Sequence, residues 1–71
     1  MATEVKAHIT GTVWKIEVAV GDTVDSDQVL VILESMKMEM PIEAPRAGKV
    51  SVIHVKEAQP VNEGDIVIIL D

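Results

Sequence analysis

The chain repeats itself. Laying Gly11 on Gly48 and reading on without a gap puts Ala7 on Ala44, Val13 on Val50, Ile16 on Ile53 and Val18 on Val55. In the same register Val24 meets Val61, Ile32 meets Ile69 and Leu33 meets Leu70, while Val29 and Val31 meet Ile66 and Ile68. Apolar positions match almost throughout and polar ones drift. Half of a 71-residue chain is too short to bury its own apolar face, so the halves must pack on each other. The pairs Val13/Val50, Ile32/Ile69 and Leu33/Leu70 are expected to point inward together.

The periodicity is that of strands. Val5, Ala7 and Ile9 alternate with Lys6 and His8; Trp14, Ile16 and Val18 alternate with Lys15 and Glu17. Gly11 reads as a bulge or bend and Gly21-Asp22 as a turn. Val29–Leu33 reads as a strand buried on both faces or nearly so. Met38–Glu43 returns as a strand that Pro41 confines to an edge or a bulge. Ser26–Leu30 is the one stretch that could form a turn of helix. With 48% apolar residues, rich in valine and isoleucine, and no cysteine, the core has to come from aliphatic packing. The expected architecture is one all-β domain over residues 1–71, a sandwich or flattened barrel with pseudo-two-fold symmetry. Its halves run over about 7–33 and 44–70, joined by a hairpin at Lys37.

That hairpin breaks a local rule. Every methionine but the first residue lies in Glu34-Ser35-Met36-Lys37-Met38-Glu39-Met40. Extended segments on both sides force a tight reversal at Met36-Lys37-Met38, yet no glycine or asparagine marks it. Departures of this kind concentrate at functional sites. Lys37 is left at the tip. A catalytic lysine is made by desolvation in a pocket or by a neighbouring cation; a tip beside Glu34 and Glu39 promises neither, so Lys37 reads as an acceptor for a group delivered by another enzyme. Met40 is expected to pack, with Met36 and Met38 exposed as an adaptable grip for a partner.

Other residues offer less. His8 and His54 have no second ligand at metal spacing. Ser26, Ser35 and Ser51 lack a glycine elbow, and the four glycines form no phosphate-cradling loop. Glu34, Glu39 and Glu43 read as a solvated face, and Trp14 as packed over one end of the core. A formal net charge of −6 disfavours nucleic acid and suits a carrier that meets basic partners. No apolar stretch is long enough to cross a membrane as a helix, and the N-terminus shows no secretory pattern. The cytoplasm is the expected compartment.

With these residues in place, the chain resembles the biotinyl/lipoyl-domain family. Glu34-Ser35-Met36-Lys37-Met38 is similar to the Glu-Ala-Met-Lys-Met of biotin carriers. Gly21-Asp22-Thr23-Val24 and Ala44-Pro45-Arg46-Ala47-Gly48 match two further motifs, and Val61-Asn62-Glu63-Gly64-Asp65 fits the last turn. The resemblance implies two four-stranded antiparallel sheets in a barrel-sandwich hybrid, with Lys37 at a tip remote from the termini. It implies that Lys37 is biotinylated, with Met36 and Met38 as recognition residues and Glu34, Ser35 and Glu39 flanking. Ser35 departs from the biotin pattern: Glu34-Ser35 looks lipoyl-like, so lipoate is a second cofactor to consider.

The function so implied is that of a carrier and not an enzyme, with no catalytic residue and no metal. A biotin protein ligase loads Lys37, and the arm moves a carboxyl group from a biotin carboxylase to a carboxyltransferase. The protein is expected to be a monomer when isolated. One rival is a lipoyl carrier of a 2-oxo acid dehydrogenase or glycine-cleavage system, served by a lipoyl ligase. Another is an unmodified barrel used for protein contacts.

Overall fold

The computed structural model describes residues 2–71. Its eight strands are β1 (Thr3–Lys6), β2 (Gly11–Ile16), β3 (Thr23–Val24), β4 (Val29–Ser35), β5 (Met38–Glu43), β6 (Gly48–Ile53), β7 (Pro60–Val61) and β8 (Ile66–Leu70). They form two four-stranded antiparallel sheets, ordered β1-β8-β6-β3 and β5-β4-β2-β7. Each repeat lends two strands to each sheet, so neither half is a sheet alone. The strand equivalence reaches beyond the apolar matches: β1 corresponds to β5, and the return strand of the Lys37 hairpin already belongs to the second repeat.

The symmetry extends to defects and turns. A bulge at Trp14 in β2 recurs at Ser51 in β6, and one at Leu30 in β4 recurs at Val67 in β8. Gly21 (φ 97°) has Ala58 (φ 70°) as its twin, and Asp27 (φ 69°) has Gly64 (φ 92°). The Ala19 N–H donates to Asp22 Oδ2 at 2.9 Å, and at the twin turn the Lys56 N–H donates to Gln59 Oε1 at 3.1 Å. Different side chains thus close the same turn, which is why the polar positions could drift between the halves. Asp27 also explains why Ser26–Leu30 is not helical: a positive φ there is incompatible with a right-handed turn.

The core is aliphatic, built around Val13, Leu30, Val31, Leu33, Val50, Val67, Ile68 and Leu70. The bulge at Leu30 lets Leu30 and Val31 both face inward. This corrects one expectation: Ile32 and Ile69 do not point inward with Leu33 and Leu70. They are half-buried on the outer faces, because consecutive residues of a regular strand face opposite ways. Trp14 is a second correction. It does not cap the core; it is 47% exposed, because the bulge sets Trp14 and Lys15 together opposite Ile32 on the outer face. β5 lies at a sheet edge, where Pro41 leaves no ladder bond unmade.

Candidate functional site

The ladder of β4 and β5 closes with Ser35 opposite Met38, leaving Met36 and Lys37 as a two-residue loop. Both have positive φ, 52° and 65°. Two consecutive positive φ values are the signature of a type I′ hairpin turn, the connection whose twist suits flanking strands and which normally selects Asn-Gly. For residues with a Cβ this conformation costs about 1–2 kcal/mol each. Neither position has a twin in the first repeat. The strain is therefore a local feature of the tip and not a requirement of the barrel.

Inward positions continue past the end of the barrel. Leu33 is opposite Met40 and Ser35 opposite Met38. Leu33 is buried, Met40 and Ser35 are half-buried, and Met38 is 62% exposed. Met36, at the turn itself, is 93% exposed. The methionines divide as the alternation at the tip predicts. Glu34 and Glu39 stand directly opposite each other on the outer side, both exposed.

The Lys37 side chain is exposed and makes no hydrogen bond or ion pair among the described residues. No pocket opens among them, and no group of His, Asp or Glu is arranged to hold a metal. His8 and His54 are exposed. What the tip offers is an exposed amine, with the Glu34 and Glu39 carboxylates beside the turn.

The opposite end of the barrel holds the termini. Glu43, at the foot of the hairpin, pairs with Val29. Three residues on, Arg46 Nη1 donates to Asp71 O at 3.2 Å and Arg46 Nε donates to Thr3 Oγ1 at 2.7 Å. At about 3.4 Å per residue, β4 and β5 carry the tip ~20 Å from that foot, along a molecule 33 Å long and 17 Å across. Lys37 is thus presented at the end of the barrel opposite Thr3 and Asp71.

One supporting residue was not legible as such. A Cβ on Gly11 would come within 2.7 Å of Glu34 O and 3.4 Å of Ser35 Cβ. Gly11 is where β2 passes the foot of the Lys37 turn, and only a residue without a side chain fits.

Comparison with known proteins agrees with the fold. A biotin/lipoyl family model, described as "Biotin-requiring enzyme", matches residues 1–70. The Bacillus subtilis biotin/lipoyl attachment protein is 46% identical over 90% of the chain and 88% of its own length. The Streptococcus mutans biotin carboxyl carrier protein is 52% identical over 94% of the chain, which spans 52% of that protein. In the crystal structure of Kluyveromyces lactis urea carboxylase, a segment making up 6% of that chain superposes on all of this one with a TM-score of 0.95 and 37% identity. Matched over nearly its whole length by the family model and by a relative of similar size, the chain belongs to the biotin/lipoyl family.

Proposed function

We propose that the chain is a biotin carboxyl carrier and that Lys37 is its point of attachment. The observation that carries this reading is the exposed, unpartnered amine at the tip of a strained turn, framed by Met36 and Met38. Biotin, held as an amide on Lys37 Nζ, supplies a ring nitrogen that takes up and releases a carboxyl group. The residues present fit such a group: the amine is sterically open, and the barrel makes no demand on the Lys37 side chain.

Lys37 acts once as a nucleophile. Within a biotin protein ligase its ammonium gives up a proton, the amine attacks an acyl-adenylate carbonyl, the amide C–N bond forms and AMP leaves. Thereafter the chain is an anchor. Met36 and Met38 give a partner polarisable, adaptable contacts on both sides of the arm. The rigid barrel holds the arm's root while the carboxylase and carboxyltransferase components of a biotin-dependent carboxylase are visited in turn. Tethering keeps the carried group at high effective concentration. A carrier role needs no catalytic residue in this chain.

Glu34-Ser35 is the specific observation that favours a second, minor reading, in which a lipoyl ligase also accepts the tip. Competition tests both. Purified apo-protein is offered both ligases with their substrates, and each adduct is quantified by mass. Biotin is expected to dominate, and replacing Met36→Asp with Met38→Ala is expected to move the preference toward lipoate without unfolding the domain. Dominant lipoylation of the natural sequence would overturn the biotin assignment.

A further inference from the structure

The two sheets are related by the repeat, so each outer face is an internal control for what the other requires. The faces share a central isoleucine and differ on either side of it. On the sheet that carries the Lys37 hairpin, one row across the strands runs from Trp14 through Ile32 to Pro41, with Lys15 beside Trp14. At the corresponding positions of the other sheet stand Ser51, Ile69 and Glu4, with Val52 beside Ser51. The fold is therefore satisfied by a serine where Trp14 is 47% exposed and by a glutamate where Pro41 is exposed. Barrel packing thus calls for neither Trp14 nor Pro41, whereas Ile32 has its equal in Ile69 and Lys15 is replaced by Val52, itself 39% exposed.

The charge around the stripe is equally one-sided. Glu34 and Glu39 face each other on its tip side, and Glu43 lies on its far side opposite Val29. Their counterparts in the repeat are Asp71, Ala2 and Lys6. Like charges directly opposite on a sheet are destabilising, and neither Glu34 nor Glu39 has an ion pair among the described residues. Within its strands the hairpin sheet thus exposes Glu34, Glu39 and Glu43 against the single Lys15 around an apolar centre. The equivalent rows of the other sheet carry Asp71 and Glu4 balanced by Lys6 and Lys49.

We propose that this face, with Trp14, Ile32 and Pro41 at its centre and Glu34, Glu39 and Glu43 at its rim, is the docking surface for the ligase that loads Lys37, which would meet it with an apolar patch ringed by lysine and arginine. The inference rests on the carrier reading above. Exposure cannot be what selects Lys37, because Lys6, Lys15, Lys49 and Lys56 are exposed too. Before loading, the amine reaches no further than a lysine side chain, so the ligase must close over the tip and the sheet beside it; once the arm is attached, later enzymes can stand off. The stripe lies ~15 Å behind the tip at strand spacing, within the footprint of a standard interface of about 800 Å² per partner. An apolar anchor inside a charged rim is the usual anatomy of such a contact.

The test uses the intact apo-protein, a purified biotin protein ligase, biotin and ATP. Trp14→Ser with Pro41→Glu gives the hairpin sheet the residues of its twin, and Glu43→Lys reverses one rim charge. Each change is expected to lower kcat/KM for loading about tenfold, mainly through KM; Lys6→Glu with Lys49→Glu on the other sheet is expected to stay within twofold. A measurement that needs no variant guards against unfolding. Trp14 is the only aromatic residue, so 5-fluorotryptophan labelling gives one ¹⁹F signal, which should shift on adding ligase and recover as salt screens the contact. Equal loading of all variants, or an unmoved signal while wild type is loaded, would overturn the docking surface and leave the carrier reading standing. A signal moved only by a biotin carboxylase, or by raising the concentration of the chain alone, would assign the face to another occupant and overturn it as well. Failure of wild-type loading at Lys37 would overturn both.

Discussion

Gly11 lies against the main-chain carbonyl of Glu34, so close that a Cβ on it would stand 2.7 Å from that oxygen. The relationship is duplicated at the other end of the barrel, where a Cβ on Gly48 would stand 2.8 Å from Asp71 O and 2.7 Å from Arg46 Nη1. Backbone on both sides means that the contact cannot be relieved by a rotamer change. Only the Gly11 copy adjoins the Lys37 turn.

Gly11→Ala and Gly48→Ala should therefore each cost about 1–3 kcal/mol, the usual range for overpacking, read from urea denaturation. The two should part in function. Gly11→Ala moves the foot of the turn and should lower the rate of ligase loading per folded molecule severalfold; Gly48→Ala should leave it near wild type. Equal effects on loading would show that the hairpin foot is not a sensitive position.

The turn residues set stability against function. Met36 at φ 52° is in a conformation that asparagine tolerates far better. Met36→Asn should stabilise the domain by roughly 0.5–1 kcal/mol while slowing loading, because an apolar contact beside Lys37 is lost. A destabilised Met36→Asn protein would mean that the methionine packs in a way its exposure does not suggest.

Strand phase is tested by neighbours. Leu33→Ala and Leu70→Ala remove fully buried side chains and should each cost about 2–5 kcal/mol. Ile32→Ala and Ile69→Ala, on the outer faces, should cost clearly less, at most about half as much. A reversed order in thermal or urea melts would place the register one residue off.

Much of this was legible in the sequence, and the exceptions have physical causes. The repeat survived in the apolar positions because the core is shared, so the all-β architecture and its symmetry could be read directly. Lys37 stands out as the candidate because its turn, which has two positive φ values, lacks the residues that such a turn wants. The phase of β4 could not be read: from Val29 to Leu33 every residue is apolar, so alternation carries no signal, and the bulge at Leu30 breaks it anyway. Trp14 departs from the inward packing usual for large aromatics because the bulge turns it out. Its alignment with Ser51 held the warning, since a core position would not alternate between tryptophan and serine. The closeness of Gly11 to Glu34 is a tertiary contact between β2 and β4 that no local pattern announces.

Methionine chemistry reports the tip geometry without mutation. Peroxide transfers an oxygen atom to an accessible thioether, giving the sulfoxide and water. Met36 should be oxidised first, Met38 next and half-buried Met40 last, in the order of their exposure, as followed by peptide mass mapping over time. Early oxidation of Met40 would mean that the hairpin opens away from the barrel.

The central claim, that Lys37 is the one attachment point, is tested most directly by intact mass. The chain and its Lys37→Arg variant are each coexpressed with an active biotin protein ligase, purified, weighed and mapped by peptide sequencing. Wild type should carry a single biotinyl adduct located on Lys37, and Lys37→Arg should carry none while keeping the wild-type fold, since an exposed tip side chain contributes little packing. An adduct on Lys6, Lys15, Lys49 or Lys56 of the variant, or a wild-type protein left unmodified, would contradict the account.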